Sequence, residues 1–63
     1  MRPGIILKDD ADLDYALHYK SQVEITLWGQ VDYRGQLKGY NEDAVQVTSG
    51  EWYTRKVVEI KTV

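Results

Sequence analysis

Acidic side chains are concentrated near the start of the chain. Four aspartates fall within six residues: Asp9, Asp10, Asp12 and Asp14. Carboxylate oxygens are the ligands of Ca²⁺ and Mg²⁺, so a cation site is one hypothesis. The spacing of a calcium-binding loop is absent, because no glycine stands at the sharp turn and no glutamate follows at the required offset. Aspartates also cap helices and stabilise the positive end of the helix dipole. The run therefore predicts the start of a helix rather than a metal site.

The chain lacks most of the groups that catalysis uses. It has no cysteine, and His18 is its only histidine, placed on the predicted helix, where a solvated imidazole is the default. No Ser/His/Asp or Cys/His set, phosphate-binding glycine loop or paired carboxylate site can be assigned. We therefore expect a protein that is not an enzyme and that holds neither a metal nor a cofactor.

Trp28 ends an alternating apolar segment, directly before Gly29. That position at a strand end predicts partial exposure of the indole. An exposed indole can stack on a nucleic-acid base or seal a contact between subunits. The structural alternative, which is favoured, is that Trp28 covers one end of the folded core.

Apolar residues recur at every second position in several segments, which predicts strands with one buried face. The inward-facing residues of the first three strands are Val23, Ile25, Leu27, Val31, Tyr33, Leu37, Val45 and Val47. The predicted elements are a helix over about residues 10–20 and strands over about 22–28, 31–40, 44–48, 51–55 and 57–62. Gly35 and Gly39 predict sharp bends inside the second strand, which let a small sheet curl.

These elements predict one mostly β domain over residues 1–63. The expected fold is an N-terminal α-helix followed by a five-stranded, strongly bent antiparallel SH3-like barrel. Before the helix, Ile5 to Leu7 is interpreted as a tail that covers some apolar surface; an extended segment laid against the body is the alternative.

Size and charge limit the classes of function. A chain of 63 residues has a small core and no cysteine, so self-association is the natural further support. The formal net charge of −2 disfavours nucleic-acid binding by bulk charge. No apolar run approaches the roughly 18 residues of a membrane span, and no signal-peptide pattern is present, so a cytoplasmic protein without membrane contact is expected.

Residues 10–61 resemble the Sm-like family, including its bacterial Hfq branch. The first motif corresponds to Val23–Leu27, Val31–Leu37, Tyr40-Asn41 and Val45–Val47. The second motif of the Hfq branch, Tyr-Lys-His-x-Ile-x-x-Ile, corresponds to residues 53–60. The resemblance implies a cyclic homo-oligomer of roughly five to seven subunits, in which strand four of one subunit pairs with strand five of the next.

The resemblance also implies two sets of site residues. The subunit interface would use Trp52, Tyr53, Thr54, Arg55, Val57, Val58 and Ile60. Single-stranded RNA would contact Tyr40, Asn41, Arg55 and Lys56 near the pore. Arg55 keeps a positive charge in the second motif, and a guanidinium can stack on a base or pair with phosphate.

Other positions depart from the family pattern. Asp43 replaces a stacking aromatic, Ala44-Val45 replaces a Met-Asn pair, and Asp32 replaces a lysine on the opposite face.

Two functions follow as hypotheses. One is an RNA-binding, RNA-chaperone-type ring. The other is a protein-binding or structural adaptor ring that has lost the RNA pocket and uses its acidic helix with Asp32, Glu42 and Asp43. A phage origin is a further hypothesis.

Overall fold

The computed structural model describes residues 2–63, which form one short helix and seven strands in two antiparallel sheets. The elements are β1 (Ile6–Leu7), α1 (Asp10–His18), β2 (Val23–Leu27), β3 (Gln30–Gly35), β4 (Leu37–Tyr40), β5 (Ala44–Val47), β6 (Trp52–Thr54) and β7 (Val58–Thr62). One sheet has the order β1-β7-β2-β3 and the other the order β4-β5-β6. The mostly β architecture with an N-terminal helix is confirmed. The count of five strands is wrong, and the strands of residues 2–63 do not pair into a closed barrel.

The predicted second strand, residues 31–40, is divided at a bend. Strand β3 ends at Gly35 in one sheet, and β4 begins at Leu37 in the other. The Tyr33 ring lies over Gly35, and its hydroxyl bonds to Thr48 Oγ1 at 2.7 Å and donates to the Gln36 carbonyl at 3.2 Å. The change of sheet between Gly35 and Leu37 agrees with the expected bend at Gly35, and a Cβ atom at position 35 would collide with the Tyr33 ring.

Gly35→Ala is expected to lower the free energy of unfolding by about 1–3 kcal/mol, the usual cost of forcing an extra carbon into a packed site. Gly39→Ala is the matched control, since nothing lies within 4 Å of a Cβ built at Gly39. Urea unfolding of both variants measures the difference. Equal losses at the two positions would contradict the role given to Tyr33.

Strand β1 extends the first sheet beyond the prediction. Ile6 pairs with Lys61 and Leu7 with Ile60, and the Leu7 side chain is buried. The preferred interpretation of residues 5–7 as a tail is therefore wrong, and the extended-segment alternative is correct. Burial of Leu7 supplies the physical reason, since an apolar side chain gains most when it is removed from water. As a result β7 has partners on both of its edges, β2 and β1.

Helix α1 begins as the aspartate run predicts. The Asp9 carboxylate accepts from the Asp12 N–H at 3.2 Å, and the Asp12 carboxylate accepts from the Lys8 N–H at 3.1 Å. The Lys8 N–H lowers the pKa of Asp12 most, and hydrogen bonding with Asp9 lowers it further. The helix ends at His18, two residues earlier than expected, because Lys20 adopts a left-handed φ of 51° that no helix continues through.

The core lies between the two sheets and under the helix. Its buried apolar residues are Leu7, Leu13, Ala16, Val23, Ile25, Leu37, Val45, Val47 and Ile60. Val31, predicted to face inward, is instead 54% exposed. A bulge causes this difference, since Ile25 pairs with Tyr33 but the next residue, Thr26, pairs with Val31. The extra residue, Asp32, turns Val31 to the outer face of the sheet.

Candidate functional site

Arg55 is held by three segments of the same chain. Its guanidinium lies 2.8 Å from Asp10 Oδ1 and donates to the carbonyls of Asn41 at 2.8 Å and Lys8 at 3.3 Å. The side chain is only 15% exposed. Arg55 therefore ties the end of β6 to the β4–β5 turn and to the start of α1.

Tyr40 belongs to the same cluster. Its hydroxyl donates to Asp14 Oδ1 at 2.5 Å, and its ring centroid lies 5.6 Å from Arg55 Cζ, within cation–π range. The hydrogen bond to Asp14 raises the pKa of Tyr40 to about 12. The phenol is thus a neutral donor that anchors the helix to β4.

Asn41 shapes the turn between β4 and β5. Its Oδ1 accepts hydrogen bonds from the N–H groups of Asp43 and Ala44, both at 2.8 Å. This is the Asx turn, in which a side-chain amide satisfies the backbone two residues on. The turn accounts for an amide at this position without any ligand.

The structure brings Tyr40, Asn41 and Arg55 together. Lys56 is the next residue in the chain, but its side chain is exposed and takes no part in these contacts. The carboxylates of Asp10 and Asp14 contact this cluster directly. Exposed Glu42 and Asp43 flank it, so the surrounding charge is negative. Phosphate groups are repelled by such a surface.

The predicted interface residues fall into two groups. Strand β6 is the outer strand of its sheet and pairs only with β5, which leaves Trp52 and Val57 exposed near this edge. Ile60 is buried and pairs with Ile25 on one side and Leu7 on the other. β1 pairs with β7 only at Ile60 and Lys61, so within residues 2–63 the same edge of β7 is unpaired at Val58 and Glu59, and a groove of about 300 Å³ lies there. The groove is lined by Ile6, Leu7, Lys8, Leu13, Arg55, Val58, Glu59 and Ile60.

A second surface lies at the tip of the β2–β3 hairpin. Trp28 is 87% exposed, so the favoured interpretation that it covers one end of the core is wrong, and the exposure exceeds the partial exposure expected at a strand end. Next to it is a crevice of about 340 Å³ lined by Leu27, Trp28, Gln30, Val31 and Asp32. The Tyr53 hydroxyl donates to Asp32 Oδ2 at 2.7 Å. Sequence reasoning missed Val31 and the role of Asp32 in this surface, because both depend on the bulge in β3.

The bond to Asp32 raises the pKa of Tyr53 to about 12 from 10.0. A raised folded-state pKa means that the stabilisation is complete below pH 10.0 and is lost as the pH rises through about 12. We expect the thermal midpoint to fall across this window, and Tyr53→Phe to flatten that fall. Tyr15→Phe is the control, since the Tyr15 hydroxyl makes no hydrogen bond within residues 2–63. Identical pH profiles for wild type and Tyr53→Phe would contradict the assignment.

No family model, curated protein or solved structure matches this chain. Within residues 2–63, no three His, Cys, Asp or Glu side chains are grouped so that they could hold a metal ion. The single helix of that part of the chain is too short to cross a membrane.

Proposed function

We propose that the chain is a divergent Sm-like module that acts by binding protein rather than RNA. The observation that supports this most directly is the set of partners around Arg55. The guanidinium that would contact phosphate already has Asp10 and two backbone carbonyls as partners. An RNA ligand would have to replace contacts that hold the fold together, and would do so on an acidic surface.

Exposed apolar side chains support protein binding. Trp28, Val31 and Trp52 are each more than half exposed, and Val57 is 49% exposed. Tryptophan is enriched among the residues that contribute most binding energy at protein interfaces, because a large flat side chain loses much water-accessible area at low entropic cost. Val31 and Trp52 lie on strands β3 and β6, and Trp28 and Val57 lie in the turns that follow β2 and β6.

Self-association is part of the proposal. Unpaired strand edges add a strand from another chain unless they are covered. The outer edge of β6 is open, and the groove beside Val58 offers apolar surface to a neighbouring strand. A ring of roughly five to seven subunits satisfies both if the outer edge of β6 pairs with the part of the β7 edge outside the β1 pairing, at Val58 and Glu59. Native mass spectrometry tests this; a monomer at all concentrations would remove the ring from the proposal.

The choice between protein and RNA is tested with the full chain. Fluorescence anisotropy with labelled uridine-rich and adenine-rich RNA is expected to show no saturable binding at physiological salt. Immobilised chain is expected to retain protein, but no RNA, from an extract, and nuclease treatment is expected to leave the retained protein unchanged.

Two variants make this test specific. Trp52→Ala is expected to reduce the captured protein, while Lys56→Ala, which removes an exposed charge in no ion pair within residues 2–63, leaves it unchanged. Salt-sensitive RNA binding that Lys56→Ala abolishes in a folded protein would overturn the proposal in favour of an RNA-binding ring.

A further inference from the structure

Trp28 has a backbone conformation that is unfavourable for tryptophan. Its φ is +50° and that of Gly29 is +80°, and these two residues form the turn between the paired residues Leu27 and Gln30. A two-residue hairpin turn with two positive φ angles is type I′, in which Asn-Gly is the preferred pair. A bulky residue in the left-handed region brings its Cβ too close to the following carbonyl oxygen, and only glycine, asparagine and aspartate adopt this conformation routinely.

Core packing does not compensate for this cost, since the Trp28 side chain is 87% exposed. The indole is thus placed in solvent at the tip of a tight hairpin, where a smaller residue would fold more easily. Strained backbone that the surrounding structure maintains is found preferentially at binding and catalytic sites. The strain and the exposure together indicate a ligand for this side chain.

The crevice beside Trp28 has the composition of a cation site. Its apolar wall consists of Leu27 and Val31, its polar lining residues are Gln30 and Asp32, and the carboxylate of Asp32 carries its only charge among these residues. Asp32 Oδ2 accepts from Tyr53, which fixes the carboxylate, while Oδ1 accepts no hydrogen bond from residues 2–63. No lysine or arginine in that part of the chain forms an ion pair with Asp32. The site therefore has one oriented carboxylate whose charge is not neutralised.

We propose that this crevice binds an arginine or lysine side chain of a protein partner. The cation stacks on the face of Trp28, the aliphatic stem lies on Leu27 and Val31, and the charge pairs with Asp32. Arginine fits best, since a planar guanidinium both stacks on an indole and donates two hydrogen bonds to a carboxylate. The negative charge of Asp32 repels phosphate, which disfavours nucleic acid and anionic lipid. This partner chemistry rests on the proposed function and specifies it.

Nuclear magnetic resonance titration of the full chain tests the site. The probe is the blocked tripeptide acetyl-Ala-Arg-Ala-amide, and its neutral isostere has citrulline in place of arginine. The arginine peptide is expected to shift the indole N–H of Trp28 and the amides of Val31 and Asp32, but not the indole N–H of Trp52. Its dissociation constant should be on the order of 1–10 mM, as suits a single side chain, and the citrulline peptide should bind at least about tenfold more weakly.

Two variants separate binding from folding. Asp32→Asn keeps an acceptor for Tyr53 but removes the charge, and should weaken arginine binding about tenfold, a loss of roughly 1.4 kcal/mol. Trp28→Asn places the preferred residue in the turn, so it should raise the thermal midpoint while abolishing the response to the peptide. A purely structural tryptophan would show the reverse, namely a lower midpoint.

Three results would overturn the site: equal binding of the citrulline peptide, equal shifts of both indoles, or a lower midpoint for Trp28→Asn. Broadening of the Trp28 signal by phosphatidylcholine vesicles, with no response to the arginine peptide, would also overturn it and assign a lipid surface instead. If Trp28→Asn and Asp32→Asn capture protein from nuclease-treated extract as well as wild type does, the proposed function stands and this site does not. RNA binding at physiological salt, together with the expected response to the arginine peptide, would remove the proposed function and keep this site.

Discussion

Arg55→Ala is expected to lower the free energy of unfolding by about 2–3 kcal/mol. The substitution leaves the backbone carbonyls of Asn41 and Lys8 without their donor and removes the partner of Asp10. The charged pair itself contributes little, because the Asp10 carboxylate is largely exposed. Most of the loss comes from the carbonyls and from the packing of the guanidinium against Tyr40.

A chain of this length has a total stability of only about 3–9 kcal/mol, estimated from the usual stability per residue. A loss of about 2–3 kcal/mol from this range leaves about 0–7 kcal/mol, so the Arg55→Ala protein should unfold at a clearly lower temperature, which thermal unfolding followed by circular dichroism measures. Arg55→Lys should recover less than half of the loss, because an ammonium cannot reach three separate acceptors. Lys56→Ala, at an exposed neighbouring position, is the control and should change stability by less than about 0.5 kcal/mol.

Retention of full stability by Arg55→Ala would show that the contacts of this guanidinium are incidental, and would restore it as a candidate RNA contact. The expected result has the opposite consequence. Weaker binding by Arg55→Ala could then not be attributed to a lost ligand contact, because the substitution also lowers the stability of the fold. Substitutions at Lys56, Trp28 and Trp52 are more informative about binding, since these side chains are exposed.

The alternation of apolar residues along the sequence was sufficient to predict the buried positions of β2 and β5. Val23, Ile25, Val45 and Val47 alternate along two strands, and all four are fully buried. The helix start was equally predictable, because the capping bond of Asp9 to Asp12 spans only three residues. These features depend on neighbours in sequence, where periodicity and capping chemistry act.

Features that depend on distant contacts were not predictable in the same way. Strict alternation predicted that Val31 faces the core. The bulge at Asp32 reverses the direction of the Val31 side chain, because it adds one residue to β3. Strand β1 contains two residues, too few for a periodic signal, and exists because β7 offers an edge some 50 residues later in the chain. The contacts of Arg55 join positions 8, 10, 41 and 55. An arginine that binds RNA and an arginine that holds the fold together therefore look the same in the sequence.

The attachment of α1 to the sheets is the other feature whose loss should be severe. A helix of nine residues is not stable by itself in water, so its contacts with the sheets must hold it. Leu13 is 1% exposed and is the largest apolar side chain that the helix buries completely. Leu13→Ala is expected to cost about 3 kcal/mol through lost burial and the cavity that remains. Leu17→Ala, at a half-buried position of the same helix, should cost about 1 kcal/mol and serves as the control.

Leu13 and Arg55 should not act independently, because both hold α1 against the strands. Once Leu13→Ala has loosened the helix, the bond between Arg55 and Asp10 is already weakened, so adding Arg55→Ala removes less than it does from the wild type. A double-mutant cycle by urea unfolding is expected to give a total at least about 0.5 kcal/mol smaller than the sum of the single effects. Simple additivity would mean that Arg55 stabilises only the β4–β5 turn, through Asn41, and that the helix is held by its apolar face alone.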